Sequence, residues 1–233
     1  MQRENLANNE IYHVYNRGVE KRKIFLNDID YVRFVHDLFE FNDQNPVLNV
    51  NYHFPRKSME VGLQYIERKP RNMLVEILVF CLMPNHFHLM LKQKADNGVT
   101  EFMRKLGTGY TNYFNKKYDR VGSLFQGKYK SAHVAKEQHF IHLPYYIHLN
   151  PLSLLLKNSK DDKSMDHEKI ISFLKSYRWS SHLDYTGEKN FPSVTQREFL
   201  LDFFGGTKGY NSDIMKWIGD VNFKEIQHLT LEK

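Results

Sequence analysis

One cysteine, Cys81, is all that this 233-residue chain carries. An intramolecular disulfide and a cysteine-cluster zinc site are thereby excluded, and a reducing compartment is expected. Long hydrophobic runs are missing too. The longest apolar stretch, Leu74–Met83 with Glu76 inside it, falls far short of the roughly 20 residues that span a bilayer. Met1–Glu10 is polar and mixed in charge, not basic then apolar, so no signal peptide is expected. A cytoplasmic protein without a membrane partner is the expectation. What the chain does have is positive charge, 33 Lys+Arg against 27 Asp+Glu for a net +6, with a pI near 9.1. It also has many rings, 14 Tyr and 17 Phe. A basic, aromatic-rich surface suits single-stranded nucleic acid, on whose bases side chains can stack. Composition invites that partner without establishing it.

Periodicity supplies the architecture. Ile11–Gly18 is rich in β-branched and aromatic residues and stops at Asn16-Arg17-Gly18, a strand followed by a turn. Asn27-Asp28 offers an N-cap for a helix whose inner face is Ile29, Val32, Val35 and Phe39. Met73–Leu82 reads as a strand buried on both faces, and Pro84-Asn85 turns it into a second strand, His86–Lys92. Val99, Phe102, Leu106, Tyr110 and Phe114 mark a long helix; Tyr129–Val134 is a strand; Lys136–Leu149 is a helix. Pro144 within that last helix implies a kink or two shorter helices. The order β-α-β-β-α-β-α predicts an α+β fold with a ferredoxin-like (RRM-like) antiparallel sheet and helices packed on one face. A basic insertion interrupts it at about 46–72. Beyond it, Lys157–Lys169 reads as a linker, and Trp179 and Trp217 read as packing anchors in a mostly helical extension.

Two features carry chemistry. His86-Phe87-His88 lies on a strand, so both imidazoles project from one face, where two neutral rings can chelate a divalent ion. Tyr146 and Asn150 stand four apart near the end of a helix and share a face; one offers a phenol, the other an amide oxygen. His148, two residues from Tyr146, is expected to point elsewhere. For His13 and His133 ordinary strand positions are favoured over the alternative of a place near the bound ion.

Together the two features resemble a known family. Met83-Pro84-Asn85-His86-Phe87-His88-Leu89 matches the HUH motif of the IS200-like single-tyrosine (Y1) transposases, which belong to the HUH endonucleases. Tyr146-Ile147-His148-Leu149-Asn150-Pro151 resembles the family's helix bearing the nucleophilic Tyr, with a polar ligand one turn later. Tyr12–Gly18, Gly122–Lys130 and Arg178–His182 add likenesses, the last to the REP-associated (RAYT-like) branch. The similarity runs from about Ile11 to Gly187 with the motifs in the family's order. Of the adjacent tyrosines, Tyr146 is preferred because it alone has Asn four residues on.

The resemblance implies a catalytic domain over 1–156, containing the insertion, and a linker with helical extension over 157–233. It implies cleavage and rejoining of single-stranded DNA through a covalent 5′-phosphotyrosine, with Tyr146 as nucleophile and Mg²⁺ or Mn²⁺ held by His86, His88 and Asn150. Arg17, Lys21, Arg22, Arg104, Lys105, Lys128 and Lys130 are candidate phosphate partners. The family's substrates are often folded single strands, so a DNA hairpin is an expected partner. Related enzymes include dimers that build active sites from both chains, which allows a homodimer here. Two other readings compete: a domesticated nucleic-acid-binding protein that uses the same sheet without catalysis, and a zinc hydrolase drawing on His139 and His142. The second lacks an evident acidic base beside the His pair.

Overall fold

The computed structural model describes residues 6–46, 71–158 and 167–220. Four strands form the sheet: β1 (Ile11–Arg17), β2 (Val75–Met83), β3 (His86–Gln93) and β4 (Lys130–His133). Their spatial order is β2-β3-β1-β4, antiparallel throughout. With α1 (Asp28–Glu40) between β1 and β2, and α2 (Gly98–Lys117) between β3 and β4, this is the expected ferredoxin-like arrangement.

Local chemistry explains the elements. Asn27 and Asp30 cap α1 reciprocally, side chain to backbone. Gly18 follows β1 at a close approach that excludes a side chain, since a Cβ there would lie 2.3 Å from the Arg22 carbonyl oxygen. Pro84 and Asn85 close a two-residue hairpin, and their carbonyls accept from Ile24 N and Gly18 N, each at 2.8 Å. The helices α1 and α2 cover one face of the sheet, where Phe34, Leu38, Phe102, Leu106 and Tyr110 meet Val14, Phe80, Phe87 and Leu89.

The opposite face is also covered, by α3 (Glu137–Leu149) and the segments after it: α4 (Leu152–Asn158), α5 (His167–Ser176), α6 (His182–Thr186), α7 (Glu198–Phe203) and α8 (Gly206–Asp220). A β-bulge lies between Ile77 and Val79. The extra residue shifts the side-chain alternation, so Val75, Ile77, Phe80 and Leu82 face α1 and α2 while Leu78, Val79, Cys81 and Met83 face α3 and the tail. Because both faces are buried, the run reads as continuously apolar. The tail also covers the free edge of β2. Leu82 N donates to Trp179 O at 2.9 Å, Ser181 N to Phe80 O at 3.0 Å and Gln196 N to Ile77 O at 2.9 Å. An exposed sheet edge invites pairing with other chains, and here the chain's own tail occupies it.

The second core therefore draws residues from both sides of position 156. α3 passes through Pro144 as one helix where two shorter ones were a possibility. Proline there deletes a single intrahelical hydrogen bond, and burial of Pro144, Tyr145, Ile147 and Leu149 holds the rest. Trp179 stacks on Tyr31 at 4.6 Å and Trp217 on Tyr145 at 5.8 Å, packing roles as expected. Most of the basic insertion, and residues 159–166 of the expected linker, lie outside the described residues. Among the described residues no helix is long and apolar enough to cross a membrane.

Candidate active site

Strand register gathers the site. β1 pairs with β3 so that Tyr15 lies opposite His88 and Arg17 opposite His86, while β4 sets Lys130 opposite Tyr15. By the two-residue strand period, His13, Tyr15, Arg17, His86 and His88 share one face. Across that face lies α3. The Tyr146 ring meets His88 at 5.7 Å and His13 at 5.9 Å between centroids, edge-on to both. Tyr145 turns away into the second core, stacked on Tyr210 at 5.5 Å with its hydroxyl 3.4 Å from Asp213. One helical turn after Tyr146, Asn150 donates from Nδ2 to the Tyr146 carbonyl at 3.3 Å. Asn150 is 1% exposed, yet among the described residues its Oδ1 has no hydrogen-bond partner.

The electrostatics leave His88 neutral. His88 is 1% exposed; burial first, then the neighbouring His13 and His86, holds its pKa well below the usual histidine value. His86 Nδ1 lies 2.6 Å from Asn85 Oδ1, and Asn85 Nδ2 donates to Lys21 O at 3.3 Å. With that amide oriented by the backbone, its oxygen can only accept, so His86 Nδ1 carries the proton and Nε2 keeps the lone pair. Tyr146 departs from the ordinary phenol value near ~10. Burial pushes it up to about 12, against the lowering effect of the Asn150 side chain.

A buried amide oxygen without a partner costs free energy unless something occupies it. Together with the imidazoles of His86 and His88 it makes a donor set that fits a hard-to-borderline dication. Among the described residues no group of three or more His, Cys, Asp or Glu is placed to hold a metal, so the set depends on the Asn150 amide.

Beside the His pair is a notch of about 130 Å³, lined among others by Arg17, Lys21 and Lys130. Arg17 Nη1 is buried there without a hydrogen-bond partner among the described residues, while Nε donates to Gln126. Arg104 and Lys128 border a separate groove along α2, of about 520 Å³, and Arg104 pairs with Glu101 at 2.6 Å. Lys105 points to neither, since its ammonium donates to the Asp43 carbonyl at 2.5 Å and the Asn45 carbonyl at 3.3 Å. Arg22, in the turn after β1, lines neither cavity.

His13 is the residue that sequence reasoning undervalued. Its Nε2 is 2.9 Å from His88 Nδ1, and burial pushes its pKa down to about 4. The usable signal was strand alternation, which puts His13 on the face of Tyr15 and Arg17. His133, by contrast, pairs with Glu10 at 2.7 Å on an exposed edge. His148 points away from Tyr146, fully buried between Ser181 and Tyr210.

Residues 51–150 match the model of the family described as "Transposase IS200 like". The match takes in β2, β3, α2, β4 and α3, and thus His86, His88, Tyr146 and Asn150. No curated protein matches the chain. Among solved structures, that of a REP-associated tyrosine transposase bound to a REP hairpin is similar at 13% identity and a TM-score of 0.46, covering 66% of this chain and 73% of that one.

Proposed function

From the match of residues 51–150 to the IS200-like transposase family, we propose a metal-dependent endonuclease and strand transferase acting on single-stranded DNA. The observation that carries this reading is the meeting of Tyr146 with His88 and with an Asn150 amide whose oxygen is buried and, among the described residues, unpartnered. His86, His88 and Asn150 would hold Mg²⁺ or Mn²⁺. When bound, such an ion would draw charge from a non-bridging phosphate oxygen and favour attack at phosphorus. All three ligands are neutral, which leaves the dication's charge for the phosphate.

The chain's own groups account for the rest. Tyr146 Oη bonds to phosphorus and the P–O3′ bond breaks. The phenolic proton ends on the departing 3′-oxygen, and a 5′-phosphotyrosine remains. Attack by another 3′-hydroxyl reverses the step and joins strands without an external energy source. With its pKa raised to about 12, Tyr146 rests as a neutral phenol, stable until a phosphate is in place. Arg17, Lys21 and Lys130 around the notch offer cations to the strand beside the cleavage point. Tyr146 approaches the His88 of its own chain, which supports a site assembled within one protomer. A hairpin-bearing single strand is the proposed substrate, met in the cytoplasm.

Full-length protein incubated with Mn²⁺ and a pool of labelled hairpin-bearing single strands should form a covalent adduct that survives denaturing electrophoresis. Tyr146→Phe should abolish the adduct and retain binding, while Tyr145→Phe should still form it. An adduct that persists in Tyr146→Phe refutes the nucleophile assignment. Tight binding without adduct or cleavage in the unmutated protein, with or without Mn²⁺, refutes the catalytic reading in favour of a binding protein.

A further inference from the structure

His13 stands behind His88. The two rings are nearly coplanar and meet edge to edge, with centroids 5.2 Å apart, an interplanar angle of 21° and His13 Nε2 2.9 Å from His88 Nδ1. We propose that His13 is a positioning residue that fixes the tautomer and ring orientation of His88, so that His88 presents its Nε2 lone pair to the ion. The inference rests on the metal reading of His86, His88 and Asn150.

A neutral imidazole has one N–H and one lone pair, so this contact has two arrangements. In one, His88 Nδ1–H donates to His13 and His88 Nε2 is free to ligate. In the other, His13 donates and the proton of His88 sits on Nε2, where it blocks ligation. His86 indicates which arrangement the site is built for. Its Nδ1–H is already engaged by Asn85 Oδ1, which leaves Nε2 as the ligating atom. His13 gives His88 the same outer partner on the same nitrogen.

Metal-bound histidines ordinarily donate their second ring N–H to a carboxylate, carbonyl or water. Asn85 and His13 fill that place with neutral acceptors, adding no negative charge near the phosphate. His13 also lies edge-on to Tyr146 at 5.9 Å, so one ring borders both the ligand and the phenol. The register makes this possible: Tyr15 lies directly opposite His88, and His13, two residues back on the same face, reaches it diagonally.

The test is Mn²⁺ affinity of the metal-free full-length chain, without DNA, followed by titration calorimetry and by the free-Mn²⁺ paramagnetic signal. His13→Gln places an amide oxygen near the former Nε2 and should bind within about threefold of the unmutated chain. His13→Leu fills the space without an acceptor and should bind about 10- to 100-fold more weakly. Two patterns overturn the proposal while leaving the metal site intact, provided that His88→Ala loses affinity: Leu and Gln both near the unmutated value, or both weakened alike. Equal binding by the unmutated chain and His88→Ala overturns the metal reading and this inference with it. Nitrogen-15 correlation spectra of the unmutated apo-protein decide the matter even where His13→Leu does not fold. The expected state of His88 carries its proton on Nδ1, and a proton on Nε2 overturns the proposal.

Discussion

Replacing Tyr210 by Phe removes one oxygen and leaves two buried groups without partners. Tyr210 OH is 2.7 Å from His148 Nδ1 and 2.9 Å from His182 Nδ1, and all three residues are buried. His148 Nε2 is 2.7 Å from Ser181 Oγ, which accepts from Phe80 N at 3.0 Å and donates to Phe80 O at 3.3 Å. With the Ser181 proton spent on Phe80, His148 must donate from Nε2. Burial holds its pKa well below the usual value, so it is neutral and Nδ1 is a lone pair. Tyr210 therefore donates to His148 and accepts from His182 Nδ1–H. The phenylalanine strands an acceptor and a donor, each worth about 1–3 kcal/mol when buried and unsatisfied, or about 2–6 kcal/mol together. In a chain of this size about 2–4 °C of melting temperature accompanies each kcal/mol. Calorimetry at pH 7.5 should thus find Tyr210→Phe melting roughly 5–20 °C lower, with urea unfolding reporting the matching loss. A loss below about 1 kcal/mol refutes the reasoning, since it means that the two nitrogens find other partners.

Acid should weaken the fold through the same region. Burial pushes the His182 pKa down to about 4, whereas the unfolded chain titrates near ~6.5. Its contribution is complete above that value and disappears as pH falls toward 4, about 3 kcal/mol at most; an unfolding free energy that stays flat between pH 7.5 and 5 contradicts this. On α2, Gly109→Ala should lower the melting temperature, because its Cβ would sit 2.4 Å from the Phe41 ring and overpacking costs about 1–3 kcal/mol. Gly107→Ala, with nothing within 4 Å, should raise stability by about 0.5–1 kcal/mol; equal shifts for the pair refute the close approach. In binding assays across a salt series, Arg17→Ala and Lys130→Ala should each weaken single-strand affinity and reduce the salt slope by about 0.7. Lys105→Ala, whose ammonium is held by the Asp43 and Asn45 carbonyls, should leave the slope unchanged.

The residues that announced themselves did so through local periodicity. His86 and His88 share a face because strands repeat every two residues, and Tyr146 and Asn150 share one because helices repeat every 3.6. The alternation of strand and helix patterns likewise carried the ferredoxin-like order, since each pattern is written within a dozen neighbouring residues. Which of two adjacent tyrosines meets the His pair was favoured by Asn150, but the meeting itself depends on how α3 crosses the sheet.

Other features depend on residues far apart in the chain. The bulge at Ile77/Val79 and the capping of the β2 edge by Trp179 and Ser181 are hidden in one continuous apolar run. The contact between His13 and His88 spans 75 positions and depends on strand register. Lys105 is solvated charge in a sequence pattern and a carbonyl ligand in the fold. Burial between sheet and helix raises the Tyr146 pKa to about 12, a shift that no local pattern announces. The sequence by itself determined which side chains each element carries and on which side, because backbone geometry repeats locally. Only the tertiary structure decided which of those sides face each other, because register, burial and desolvation are set by packing between segments that no local period connects.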